Sequence, residues 1–119
     1  MAGIHEMAKE LGGALARTEE YQALKRAMDA AEEDRELVEM RNRIQGLEDR
    51  IEASIRVGKE PEEDVRNAYQ EAADGLQTMP GFQRLVSAQS NFEKVMYKVN
   101  ETVAKGIEEG AQSRIIISS

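Results

Sequence analysis

A chain of 119 residues suits one domain with a single core, since domains commonly run about 100–150 residues. Charged residues make up 33% and aromatics 4%, with no Trp and two Pro, so the core has to come from Leu, Ile, Val, Met and Ala, a set that favours helix over sheet. A formal net charge of -7 with no basic, aromatic-interleaved cluster disfavours direct nucleic-acid binding, and the lack of Cys excludes disulfides, thiolate metal sites and cysteine nucleophiles.

The opening residues Met1 to Glu6 place no basic stretch ahead of an apolar run. No window approaches the roughly 20 apolar residues that span a bilayer, so a cytoplasmic location away from membrane is expected. From Ile4 onward, Ile4, Met7, Ala8, Leu11 and Leu15 recur at steps of three and four, predicting a first helix over residues 3–16. Gly12 and Gly13 fall inside it, each costing about 1 kcal/mol relative to Ala, and call for a packing reason. Ala8, Gly12 and Ala16 would form a narrow track on which a second helix packs closely, and no strand precedes the glycines as a phosphate-binding loop requires.

Thr18 is placed to cap a second helix, with Glu19 and Glu20 in its first turn and Tyr21, Leu24, Ala27, Met28 and Ala31 facing inward. Asp34 is placed to cap a long third helix carrying Leu37, Met40, Ile44, Leu47, Ile51 and Ile55. Gly58 supplies the left-handed residue that ends it, beside Arg56 at the negative end of the dipole. Pro61 fits the first position of a fourth helix, which carries Val65, Ala68, Tyr69, Ala72 and Leu76 and is broken by Met79-Pro80-Gly81.

The fifth helix has the most regular seam: Phe82, Leu85, Gln89, Phe92, Met96, Val99 and Val103 alternate three- and four-residue steps, like a heptad. After Gly110 the pattern changes. The segment 111–119, with Ile115, Ile116 and Ile117, is expected to leave the helix, either loose or as a strand added to a partner's sheet edge. Acid-before-base pairs such as Glu39/Arg43, Glu52/Arg56, Glu62/Arg66 and Glu101/Lys105 mark solvated helix faces.

The expected fold is therefore all-α: an elongated bundle of about five helices, two of them long, occupying residues 1–110. Helices of about 23–28 residues rise roughly 35–40 Å, as much as the diameter of a compact domain of this size, and so leave apolar stripes uncovered in a single copy. A homodimer or higher homo-oligomer is expected. The candidate oligomer or partner interface comprises Leu37, Met40, Ile44, Leu47 and Ile51 on the third helix with Phe82, Leu85, Gln89, Phe92 and Met96 on the fifth.

The residues assemble no recognisable catalytic pattern. His5-Glu6 begins like a zinc-protease motif, but the position that needs a second His is Lys9, and one His cannot serve a di-iron bundle. Glu32, Glu33, Asp34 and Glu36 read as a solvated acidic stretch, and Met7, Met28, Met40 and Met96 as adaptable filler. Gln45 and Gln89 sit beside apolar seams, where they either fix register or lift to the rim. No cofactor, catalytic residue or metal ligand is expected.

Leu11-Gly12 with Leu15, Thr18-Glu19-Glu20-Tyr21 with Leu24-Lys25, the long helix with Ile44-Gln45 and Leu47, Pro80 ahead of Leu85 and Ala88, and Val99-Asn100 follow one another in an order that resembles the YlbF/YmcA family of bacterial competence and biofilm regulators. The likeness covers residues 3–107. It implies an all-helical, oligomerising, non-catalytic regulator whose relatives act in a multi-protein complex linked to competence, biofilm formation, sporulation and messenger maturation through RNase Y. Some relatives share iron–sulfur clusters through cysteines; this cysteine-free chain does not inherit that property. The leading expectation is a regulatory adaptor binding other proteins, among them other family members, through helix faces. A structural homo-oligomeric scaffold and a small-ligand or metal binder using acidic side chains are the alternatives.

Overall fold

The computed structural model describes residues 3–118, with side chains described for residues 3–112. Five helices follow in order: α1 (Ile4–Ala16), α2 (Glu19–Glu33), α3 (Arg35–Arg56), α4 (Glu63–Gln77) and α5 (Pro80–Ser118). The starts of α2 and α3 are written in short polar side chains. Thr18 Oγ1 accepts the Tyr21 backbone N–H at 3.1 Å while its hydroxyl donates to the Leu15 carbonyl at 2.7 Å, so one residue ends α1 and begins α2. Asp34 does the same work between α2 and α3. Its N–H donates to the Ala30 carbonyl at 3.0 Å and its Oδ1 accepts from the Leu37 N–H at 3.2 Å. Gly58 ends α3 at a φ of 76°, and the Lys59 N–H reaches back to the Ser54 carbonyl at 2.9 Å.

Two helix boundaries differ from the sequence expectation. Pro61 does not open α4: Glu62 is the extended cap, with its carbonyl accepting from Val65 and Arg66, and α4 begins at Glu63. Pro80, read as a breaker, takes the first position of α5, where a missing N–H costs nothing. The segment 111–119 was expected to leave the helix, yet the backbone is helical through Ser118, and Ser119 lies outside the described residues. Once a helix is running, each added residue gains a hydrogen bond, and a β-branched residue costs only a few tenths of a kcal/mol relative to Ala.

Two antiparallel helix pairs make the body. α2 lies along the first half of α5, and α3 lies along α4, with Met40 Cε against Gly75 and Tyr69 reaching Glu48. The two long helices thus belong to different pairs. They meet only through a small junction where Ala31, Leu37 and Leu85 are buried and Leu24, Ala27, Leu76, Met79 and Phe82 pack around them. Leu37 is the centre of that junction, at 0% exposure. Val65 and Ala72 are buried on α4, and Ala88 on α5. The result is elongated, 69 × 37 × 21 Å with a radius of gyration of 22.0 Å. A compact chain of this length would have a radius of about 13–14 Å.

The junction also dictates a glycine. A Cβ on Gly81 would lie 3.0 Å from Asp34 Oδ2 and 3.5 Å from Leu37 Cδ2, so the start of α5 seats against the α3 cap only because no side chain intervenes. Leu37→Ala is expected to lose about 2–5 kcal/mol in chemical denaturation, and Asp34→Ala about 1 kcal/mol. Gly81→Ala should be destabilising with Asp34 present and become neutral or stabilising in the Asp34→Ala background; equal effects in both backgrounds would contradict this seating.

Candidate interaction surfaces

The ten candidate interface residues do not form one surface. Leu37 and Leu85 lie inside the chain's own core, and Phe82 packs half-buried against them, so these three stabilise the junction itself. Met40, Ile44, Leu47 and Ile51 line the half-buried stripe of α3, whose main packing is against α4. Phe92 is half-buried, its ring edge-on to Tyr21 at 5.3 Å between centroids, and Met96 is half-buried beyond it. Gln89 and Gln45 are exposed; Gln45 Nε2 donates to Asp49 Oδ1 at 3.0 Å. The buried line of α5 runs through Leu85 and Ala88, a rotation that turns Gln89 to solvent. Sequence periodicity finds a stripe but not which neighbour covers it.

Two other regions are open to partners. Along the α2–α5 seam runs a groove of about 750 Å³ with Ala23, Ala27, Ala30, Gly81 and Ala88 on its walls and Arg26 and Arg84 at its rim. It continues past Ala23 and Asn91 to Lys94, Lys98 and Val99. The second region is at the far end of α5 and on α1: α1 has no buried residue, and α5 is exposed throughout residues 100–112. A Cβ on Gly12 would meet nothing within 4 Å, so the close helix contact expected on the Ala8-Gly12-Ala16 track is not made within the chain. Met28, expected to face inward, is also exposed, because α2 turns its Ala23-Ala27-Ala31 side toward α5 and the junction.

The charged groups are arranged as solvated faces. Of the paired acids and bases, Glu52 and Arg56 close to an ion pair at 2.9 Å, both well exposed. Such a pair contributes little. Glu32, Glu33 and Glu36 are exposed, and Asp34 is committed to its cap. Among the described residues, no three of His, Cys, Asp and Glu converge as metal ligands would. No helix among them is long and apolar enough to cross a membrane. One polar contact ties α4 to α3: the Tyr69 hydroxyl donates to Glu48 Oε1 at 3.2 Å. That hydrogen bond, then the negative charge of Glu48, raise the Tyr69 pKa above the ordinary 10.0.

Fold and surface together define an elongated, all-α protein of two helix pairs joined at one small core, with long helix faces turned to solvent. The chain belongs to the YlbF/YmcA family: the family model described as control of the competence regulator ComK matches residues 4–108. Among curated proteins it is similar to a UPF0342 protein of Lactobacillus acidophilus, 24% identical over 109 residues, covering 92% of this chain and 94% of the relative. It is also similar to a UPF0342 protein of Staphylococcus epidermidis, 25% identical over 107 residues, covering 89% and 93%. No solved structure gives a significant match.

Because Tyr69 keeps its proton more tightly in the folded chain, its contact supports the α3–α4 pair fully below pH 10 and is lost as pH rises through the folded value. A tyrosinate absorbance titration should show a component above pH 10 that disappears in Tyr69→Phe. Glu48→Gln should draw that component back down toward the ordinary value; an unmoved component in Glu48→Gln would contradict the Tyr69–Glu48 contact.

Proposed function

We propose that this protein is a non-catalytic regulatory adaptor of the cytoplasm, self-associating as a homodimer or higher homo-oligomer and docking on other proteins, including other family members, through its helix faces. The family's description as control of a competence regulator supports the regulatory part. The observation that carries the docking part is the imbalance between core and surface. Among the described residues six hydrophobic residues are buried, whereas ten large hydrophobic side chains, on α1, α2, α5 and the end of α3, remain exposed. Burying a single Leu or Ile contributes about 1.5–3 kcal/mol, so a few of these side chains under a partner offset the entropy of association.

The α2–α5 groove suits a partner helix better than a small substrate. It is long and open, with Ala23, Ala27, Ala30 and Ala88 among its lining residues, and its exposed Arg26 and Arg84 can select a partner without being stripped of water. Reading the relatives' role across, the regulated processes are competence, biofilm formation and RNA maturation. A second reading, a homo-oligomeric scaffold, is favoured by the 69 Å length of the molecule.

The two readings separate in the native host. For an adaptor, deleting the gene shifts a ComK-dependent reporter, and the tagged protein brings down a distinct protein in stoichiometric amount. Reversing the exposed groove charges with Arg26→Glu and Arg84→Glu should remove that protein and reproduce the deletion, with the helical circular dichroism retained. Recovery of the tagged protein with itself alone, and an unchanged reporter, would leave only the scaffold.

A further inference from the structure

We infer that α1 of one copy lies along residues 100–112 of α5 in a second copy, and the reverse, so that two exposed arms close a two-fold dimer. This inference rests on the self-association proposed above and specifies its surface. On α1, Ile4 is 77% exposed, Met7 53% and Leu11 41%, a gradient that grows away from the body. On α5, Val103 is 50% exposed and Ile107 68%. Each stripe is continuous with covered structure at its inner end, through half-buried Leu15 on α1 and half-buried Val99 on α5. These are therefore not scattered surface residues. They are the outward continuations of stripes that the body uses for packing.

Both arms leave the body at the same end. Glu19, Glu20 and Ala23 at the start of α2 line the same groove as Lys94, Lys98 and Val99, so the turn at Arg17 and Thr18 that carries α1 stands near the point where α5 runs free. α1 has 13 residues, about 20 Å of helix, and the exposed run of α5 from residue 100 through 112 is long enough to seat it whole. Within one chain the main packing of α1 is against α2, and its exposed side chains show that its stripe does not close on α5. A two-fold axis asks for this situation, since patch one must meet patch two and patch two must meet patch one.

Three further observations favour a second copy as the occupant. Gly106 and Gly110 stand four residues apart on the side of α5 that carries Val103, and a Cβ at either, or at Gly12, would meet nothing within 4 Å. Glycines in a helix interior cost about 1 kcal/mol each, and nothing within the chain compensates; a helix seated closely over them does. With its C-cap Arg17, α1 is balanced (Glu6 and Glu10 against Lys9 and Arg17), and it meets residues 100–112, where Glu101, Glu108 and Glu109 stand against Lys105, so the arms bring together less acidic excess than α2 or α4 would. Finally, covering the five named side chains on both copies removes on the order of 600 Å² of apolar surface from water. At roughly 60% apolar content that corresponds to an interface of about 1,000 Å², enough for a specific dimer.

The cysteine-free chain makes the test direct. Leu11→Cys and Val103→Cys proteins, purified separately and reduced, are mixed at tens of micromolar and oxidised gently, with light scattering run alongside. The expected product is a mixed Leu11→Cys/Val103→Cys dimer in clear excess over either like pair. Met7→Asp with Ile107→Asp should weaken association by roughly 30-fold or more while leaving the helical circular dichroism unchanged, because those side chains are exposed in the single copy. A dimeric mass with crosslinks only between like copies, with none at all, or with association indifferent to the Asp substitutions overturns the arm exchange and leaves self-association standing. A monomeric mass overturns both.

Discussion

The architecture depends on how a single residue, Asp34, joins three helices. Its backbone N–H closes α2, its carboxylate opens α3, and the other carboxylate oxygen fills the space that Gly81 leaves at the start of α5. With no intervening loop, the directions of α2 and α3 are coupled, and Leu37 three residues on is carried to the centre of the core that the two helix pairs share. A carboxylate near two helix N-termini is favoured by both dipoles, which makes the cap stronger than its one side-chain hydrogen bond to Leu37 suggests. Had the connection been several residues long, the pairs would have been free to fold over one another into a compact bundle.

Because the junction is so small, most of the stability has to come from pairwise contacts along helices. Tyr21 against Phe92, Met40 against Gly75 and Tyr69 to Glu48 are contacts of this kind, half-buried and adjustable. Such a body holds its shape near the junction and becomes progressively less covered toward the tips. The surface available for partners is then a consequence of the fold and not an addition to it. On the proposed adaptor reading, the faces that the chain does not cover by itself are the ones that other proteins would meet.

Much of this was legible in the sequence, for reasons that are local. Thr18, Asp34 and Gly58 sit where caps and a left-handed residue must sit, and the three-and-four spacing of apolar residues fixed all five helices. Pairing was not legible. Periodicity cannot tell that α3 belongs with α4 and α5 with α2, so Leu37 and Leu85 read as interface although they are core, and Gln89 read as seam although it is exposed. Ala23, Ala27 and Ala30 carry no strong apolar signal, and the groove they line went unread. The helix running to Ser118 was missed because propensity was weighed without the cooperativity of a helix already formed.

The central claim is that protection is concentrated at the junction while the arms are left bare by a single copy. Hydrogen exchange followed by mass spectrometry at low and high protein concentration tests it most directly. Slow exchange is expected around Ala31, Leu37 and Leu85 at both concentrations, with α1 and residues 100–112 exchanging fast when dilute and slowing when concentrated. Arms as protected as the junction at a dilution where the mass is that of one chain would contradict it, since the chain would then be covering its own surface.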